Sequence, residues 1–236
     1  MAVYTLANMK GGVAKTTSVL MLGRVAAEQG KRVLLIDLDL NGQLSRLLGH
    51  WPAGQAGIFT DWYETHTLND ALTLLPAPGA DFPLDGLTVE EKDLVERITA
   101  EARQYDLCLI DTPSGYMPFL RALLRVSDVW VTPTSLIPAV RQASAHYLLR
   151  MARLALAIDV HLKVRLLPVQ YNPHLGSHRI GLEALRRFVG PWRVLPPVRH
   201  DGRFCYADPD GFRYAKNRPI LQDYHHGFAA LADASS

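Results

Sequence analysis

Short apolar runs alternate along this chain with longer stretches of helical period. The runs predict strands at Val3–Asn8, Arg32–Asp37, Leu107–Asp111, Val129–Thr132, Val164–Val169 and Arg193–Leu195, with a weaker one at Leu72–Leu75. Each run is nearly continuous in apolar residues, as expected of a strand covered on both faces. The helical stretches predict helices at Thr16–Gln29, Val89–Ala102, Tyr116–Val126, Val140–Ala157, Arg179–Phe188 and Asp223–Ala232. Gly30 supplies a stop for the first helix, and Thr88-Val89-Glu90-Glu91 has capping-box spacing before the second. Strand–helix alternation of this kind predicts an α/β fold: a doubly wound, mostly parallel sheet flanked by helices. Ligands of such sheets sit at the carboxyl ends of the strands. With 236 residues and no repeat or linker, the expectation is a single domain, 1–236. Residues 51–86 interrupt the alternation and read as a loop region with a short helix, and residues 200–211 as an insertion or a long loop.

Chemistry enters between the first strand and the first helix, at Asn8-Met9-Lys10-Gly11-Gly12-Val13-Ala14-Lys15-Thr16-Thr17. A strand, a Gly-containing loop and a helix opening on hydroxyl residues suit the phosphates of a nucleotide. Backbone N–H groups of Gly11, Gly12, Val13, Ala14 and the first helical turn converge there, and the helix dipole favours negative charge. Lys15 adds a point charge for the outer phosphates, Thr16 a hydroxyl for Mg²⁺, and Thr17 a second hydroxyl. Counted from Lys15, the usual P-loop glycines would fall at positions 9 and 14, where this chain has Met9 and Ala14. The methyl of Ala14 requires φ < 0 there.

The second predicted strand ends Leu35-Ile36-Asp37-Leu38-Asp39, followed by Leu40-Asn41-Gly42-Gln43. Residues two apart on a strand share a face, so Asp37 and Asp39 are expected on one side beside the loop. One carboxylate can orient the hydration shell of Mg²⁺ while the other positions an attacking water. The third strand runs Leu107-Cys108-Leu109-Ile110-Asp111, followed by Thr112-Pro113-Ser114-Gly115. A buried strand that delivers one carboxylate to a metal–phosphate site is Walker B logic, and it makes Asp111 a metal ligand.

Taken in order, these motifs resemble the deviant Walker A loop ATPases of the ParA/MinD family, nearest the ParA-type, Soj-like branch. The variant K-G-G-x-x-K-T carries the likeness, and the acidic segments resemble the family's D-x-D-P-Q-G and D-x-P-P patterns. This chain has Leu40 and Asn41 in place of the proline and glutamine, and Ser114 where a second proline is common. The resemblance implies a P-loop ATPase using ATP and Mg²⁺. Lys10 would reach across a dimer interface to the partner's ATP, Lys15 would hold the phosphates, Asp39 would activate water, and Thr16, Asp37 and Asp111 would serve the metal. Residues 41–43 would form the first switch, and Thr112 and Gly115 would belong to the second. Asn172 resembles the position that reads adenine, and Pro196-Pro197 the loop that closes over the base; Asn-Pro and Pro-Pro are also plain turn formers.

Net charge is only +2, but residues 141–218 hold 12 Arg and 2 Lys against 5 acidic residues, a net +9 that leaves −7 for the remainder. That asymmetry suits a polyanion as much as it suits solvated helix faces. With the resemblance it points to nonspecific double-stranded DNA, held through phosphates by Arg186, Arg187, Arg199, Arg203 and Arg213. Phe204 and Tyr206 interleave with these arginines. ParA-like members form ATP-dependent homodimers, and a ParB-like or other small adaptor protein stimulates their hydrolysis. The expected role is therefore chromosome or plasmid partition, or cargo positioning, in the cytoplasm at the nucleoid.

Other branches fit less well. MinD-like positioning ATPases end in a basic amphipathic helix, whereas residues 221–233 carry no Lys or Arg, so no membrane attachment is expected. Cys108 and Cys205 suggest a reduced chain with neither disulfide nor cluster. No run approaches the ~20 apolar residues of a membrane span, and the first residues enter a strand without a secretory signal. A nucleotide-dependent metabolic enzyme of the same fold, such as a carboxylase or an amidotransferase-type synthetase, stays open. So does a nucleotide-binding scaffold without hydrolysis.

Overall fold

Apolar runs covered on both faces produce a seven-stranded sheet. The computed structural model describes residues 1–50, 57–59, 63–78, 89–115, 117–201 and 219–233. Its strands are β1 (Ala2–Leu6), β2 (Val33–Asp37), β3 (His66–Thr67), β4 (Leu72–Leu75), β5 (Leu107–Asp111), β6 (Val129–Thr134) and β7 (Lys163–Pro168). Their order across the sheet is β3-β4-β2-β5-β1-β6-β7. Every pairing is parallel except β3 with β4.

Alternate residues of each strand feed two separate cores. Leu34, Ile36, Cys108, Ile110 and Trp130 pack on one face beneath α3 (Glu91–Ala102), α4 (Leu120–Val126), α5 (Pro138–Ala157) and α6 (Gly176–Val189). Val33, Leu35, Leu107, Leu109, Val129 and Val131 pack on the other, against α1 (Lys15–Glu28) and α7 (Pro219–Asp233). A short helix of five residues, α2 (Gln43–Leu47), follows β2. Burial of these side chains, worth roughly 1.5–3 kcal/mol each, fixes which face every strand residue takes. α7 is anchored to α1 by the buried pair Tyr224 Oη and Ser18 Oγ at 3.1 Å.

β1 lies between β5 and β6, so the chain leaves it toward β2 on one side and later crosses to β6 on the other. That reversal opens a crevice at the carboxyl end of β1, where a ligand of this fold class sits. In register, Asp37 of β2 stands beside Asp111 of β5, and Asp111 beside Leu6 of β1. Asp37 and Asp111 follow the parity of Leu35 and Leu109, so both face the start of α1.

Several boundaries differ from the sequence reading. Arg193–Leu195 is not a strand: Pro191–Arg193 form a 3-10 turn after Gly190, and Val194 makes an isolated bridge to Leu166. α3 starts at Glu91, with Glu90 as an N-cap that makes no side-chain bond; Thr88 of the expected capping box lies outside the described residues. α2 and β3 were not foreseen. No helix among the described residues is long and apolar enough to cross a membrane.

Candidate active site

The loop between β1 and α1 is held from below. Asn8 is buried, and its Nδ2 donates to Pro133 O at 2.8 Å and to Ser144 Oγ at 2.7 Å, while its Oδ1 accepts the Lys10 N–H at 3.0 Å. The backbone of Lys10 is thereby fixed to β6 and α5, and its side chain is exposed. Gly12 adopts φ +70, and a Cβ there would meet nothing within 4 Å, so the backbone conformation, not space, calls for glycine.

Ala14 departs from expectation. Its φ is 57 and its ψ 38, in the left-handed region, although its methyl was expected to demand φ < 0. This conformation costs a non-glycine residue roughly 1–2 kcal/mol, and the bend it creates turns α1 toward the crevice. Ala14 is the N-cap of α1 and makes no side-chain capping bond, which leaves the first-turn N–H groups free to meet an anion.

Lys15 is buried, and its Nζ donates to Ser114 Oγ at 2.6 Å. Burial lowers its pKa, while Asp111 and Asp39 oppose that shift. Asp111 is fully buried and neither carboxylate oxygen has a hydrogen-bond donor. Burial pushes its pKa well up and Asp37 adds to the rise; the nearby Thr16 hydroxyl and Lys15 ammonium act against it. Asp37 is pushed up to about 6, chiefly by burial. Its Oδ2 accepts from the Ser45 N–H at 2.9 Å and the Ser45 hydroxyl at 2.8 Å, and its Oδ1 accepts from the Asp39 N–H at 3.1 Å. Asp37 therefore caps α2 from outside that helix. Asp39 is buried, and its Oδ1 accepts from both Asn41 N and Asn41 Nδ2 at 2.9 Å.

Three carboxylates against one buried ammonium leave an excess of negative charge that a cation would relieve. Among the described residues no group of three or more His, Cys, Asp or Glu side chains could enclose a metal ion. Mg²⁺ takes one or two carboxylates and completes its shell with water and phosphate oxygens. Asp111, with its orphaned oxygens, and Thr16 fit that role. Asp37 is largely occupied by Ser45 and Asp39 N–H groups and stands behind Asp111.

Over these groups opens a cavity of about 770 Å³, lined among others by Gly12 to Thr17, Asp39, Gln43, Arg46 and Ser114. Val169, Gln170 and residues 198–201 form another wall. Gln170, at φ +56, donates from Nε2 to Gly12 O at 3.3 Å. Gln170 and Arg46 carried no motif in the sequence, and Ser114 stood out there only as a departure from a common proline; proximity brings all three to the loop. Asn172 and Pro196 do not line this cavity. The Asn172 Oδ1 accepts the His174 N–H at 2.9 Å and its own N–H donates to His178 Nδ1 at 3.0 Å, so it shapes the turn before α6. Thr112 is also structural here: its hydroxyl donates to Leu6 O at 2.9 Å and ties β5 to β1.

The basic residues divide. Arg199 pairs through Nε and Nη2 with Asp223 at 2.6 and 2.9 Å. Arg186 and Arg187 are exposed at the end of α6, beside Arg193, Phe188 and the exposed Trp192. Arg193 and partial burial both lower the Arg165 pKa, burial more strongly. No carboxylate among the described residues pairs with Arg165, Arg186, Arg187 or Arg193. Arg203 and Arg213, with Phe204 and Tyr206, lie outside the described residues.

A strand, an uncapped helix start with a buried lysine, and strand-end aspartates at a sheet's switch point define a P-loop nucleotide-binding protein of the α/β class. Residues 1–147 match the model of a family described as an AAA domain. Chromosome-partitioning ATPase Soj of Thermus thermophilus is 29% identical over 244 residues, covering 93% of this chain and 90% of that protein. Maintenance of carboxysome distribution protein A of Synechococcus elongatus is 32% identical over 151 residues, 59% of this chain and 58% of that one. Cobyrinic acid a,c-diamide synthase of Mycobacterium smegmatis, with bound ADP and magnesium, superposes with a TM-score of 0.78 at 25% identity, over 98% of this chain and 94% of that one. The chain belongs to the ParA/MinD-type ATPases.

Proposed function

We propose that this chain is a ParA-like ATPase that pairs on ATP, holds DNA nonspecifically and so positions a chromosome, plasmid or other cargo. The whole chain works as one unit in the cytoplasm, at the nucleoid, and a small adaptor protein accelerates hydrolysis. The observation that carries this reading is the split between two lysines: Lys15 is buried against Asp39 and Asp111, while Lys10 projects from a fixed backbone into solvent. The second lysine is thus free to serve another subunit's nucleotide.

Lys15 and the N–H groups of Gly11 to Thr17 hold the β- and γ-phosphates. Asp111 and Thr16 would hold Mg²⁺, which supplies charge neutralisation across those phosphates. Asp39 orients the attacking water, with Asn41 holding one of its oxygens. Catalysis is positioning plus electrostatic stabilisation, and the ground-state strain at Ala14 tunes loop geometry. The arginine cluster Arg186, Arg187, Arg193 and Arg165, without carboxylate partners among the described residues, suits a phosphodiester backbone. Arg199 contributes by holding α7 rather than DNA.

A second reading, a nucleotide-dependent synthetase, draws on the likeness to the diamide synthase. ATP-dependent retention on DNA separates the two. Arg186→Ala/Arg187→Ala should lose that retention at moderate salt and keep ATP turnover, and Lys10→Ala should lose the ATP-dependent rise in mass. A parent chain that ignores DNA with and without ATP would refute the partitioning role.

A further inference from the structure

We propose that a cavity between α4 and α5 binds a small apolar carboxylate, a molecule with one anionic head and a hydrocarbon body, at a site separate from the nucleotide. The cavity measures about 440 Å³, within the roughly 300–1,000 Å³ of small-molecule sites. None of its lining residues lines the nucleotide cavity. Most of its wall is apolar. Met117 and Leu120 come from the entry to α4, Met151 and Leu154 from α5, and Met9 from the loop after β1. Three of the chain's five methionines thus meet here, and such unbranched, polarizable side chains repack around ligands of varied outline. Met9 is 52% exposed and Leu154 half-buried, so part of this apolar wall faces water.

Two features give the ligand its charge. Arg150 and Arg153 line the cavity and are exposed, so they stand at its rim. No carboxylate among the described residues pairs with either, and no acidic side chain lines the cavity. A guanidinium offers a carboxylate two parallel N–H groups. The second feature is Tyr147, which lines the same cavity and whose buried hydroxyl has no hydrogen-bond partner among the described residues. An unpartnered hydroxyl in an apolar wall is costly, and a phenylalanine would fill the same space without it. Tyr147, Arg150, Met151 and Leu154 recur at helical spacing and share one face of α5. A carboxylate drawn in by the arginines meets the Tyr147 hydroxyl one turn away, while its apolar body displaces water from the methionines and leucines.

The test is titration calorimetry of the nucleotide-free full chain with octanoate below its micellar concentration. Octanamide and octyltrimethylammonium serve as the neutral and cationic probes. Octanoate should bind saturably as a single molecule per chain, octanamide more weakly, and the cation not at all. Arg150→Ala/Arg153→Ala should weaken octanoate by roughly three- to tenfold, as two solvent-exposed ion pairs allow, and leave octanamide unchanged. Tyr147→Phe should weaken octanoate about tenfold, the loss expected for one hydrogen bond to a charged group, without lowering the melting temperature of the free protein. Leu154→Trp fills the cavity from a half-buried position and should abolish binding of both; the exposed arginines carry the test should that variant not fold. Absence of saturation, octanamide binding as tightly as octanoate, or parental affinity in the arginine or phenylalanine variants would overturn the site. An arginine variant that binds octanoate as the parent does but no longer gains mass on ATP would also overturn it, because this face would then be a contact between copies of the chain.

Discussion

Replacing Asp111 by asparagine should make the nucleotide-free protein more stable. Asp111 is fully buried, neither oxygen meets a donor, and Asp37 stands beside it in register. An uncompensated buried charge costs several kcal/mol even after relaxation. Lys15 and Thr16 relieve part of this, and the raised pKa relieves more. The amide removes the charge but remains a polar group without partners, which costs roughly 1–3 kcal/mol. The net gain at pH 8 is therefore about 1–3 kcal/mol. For a chain of this size that raises Tm by roughly 2–6 °C.

The sign with pH follows from the direction of the shift. A carboxyl whose folded pKa is raised contributes stability that is full below its unfolded value and lost as pH rises through the folded value. The parent suffers most at pH 8, and the gap to Asp111→Asn closes on acidification. The assay is thermal denaturation in EDTA without nucleotide at pH 8 and pH 5. With Mg²⁺ and ATP at a thousandfold excess over the parental Kd the order should reverse, since that excess adds about 4.1 kcal/mol to a parent that binds the ligand and far less to a variant without the metal-holding carboxylate. A variant less stable than the parent at pH 8 without ligand, or a gap that widens toward pH 5, would refute the argument.

Two further outcomes follow from α7. Asp223→Ala removes the acceptor of the Arg199 backbone N–H and of both guanidinium bonds. Because the Arg199 side chain is 46% exposed, solvent screening holds the expected loss to about 1–2 kcal/mol, read as a lower urea midpoint with an unchanged slope. Tyr224→Phe leaves the buried Ser18 hydroxyl without that partner and should cost about 1 kcal/mol; an unchanged midpoint would mean that the 3.1 Å contact contributes nothing.

Six of the seven strands and all the long helices could be read from the apolar pattern, because both faces of the sheet are covered and each strand core is a continuous run. The loop between β1 and α1 and the position of Asp111 at the tip of a buried strand were equally legible, since a strand, paired glycines and a helix opening on hydroxyl residues follow one another in sequence. What escaped the reading is non-local. α2 is only five residues long and owes its start to Asp37, eight residues before Ser45, so no local capping signal marks it. The start of α6 at Gly176 and of α7 at Pro219 precede any apolar period; proline at a first helical position is the one clue for α7. Val194 reads as strand because it is apolar, yet Pro191 and Gly190 bend the chain into a turn first. The left-handed backbone of Ala14 contradicts its residue type and is imposed by the loop around it. Ser114 and Gln170 reach the phosphate loop across 99 and 158 positions, a proximity that only the folded sheet creates.

Among the described residues, neither margin of the sheet offers a long open edge. On one side β3 contributes just two residues running against its neighbour. On the other, residues 194–200 run beside β7 and its exit, where Leu195 N meets Leu166 O and Val198 N meets Pro168 O, each at 2.8 Å. An open row of unpaired amides invites stacking into filaments. So short an edge on one side and a paired margin on the other give stacking of this kind little to build on.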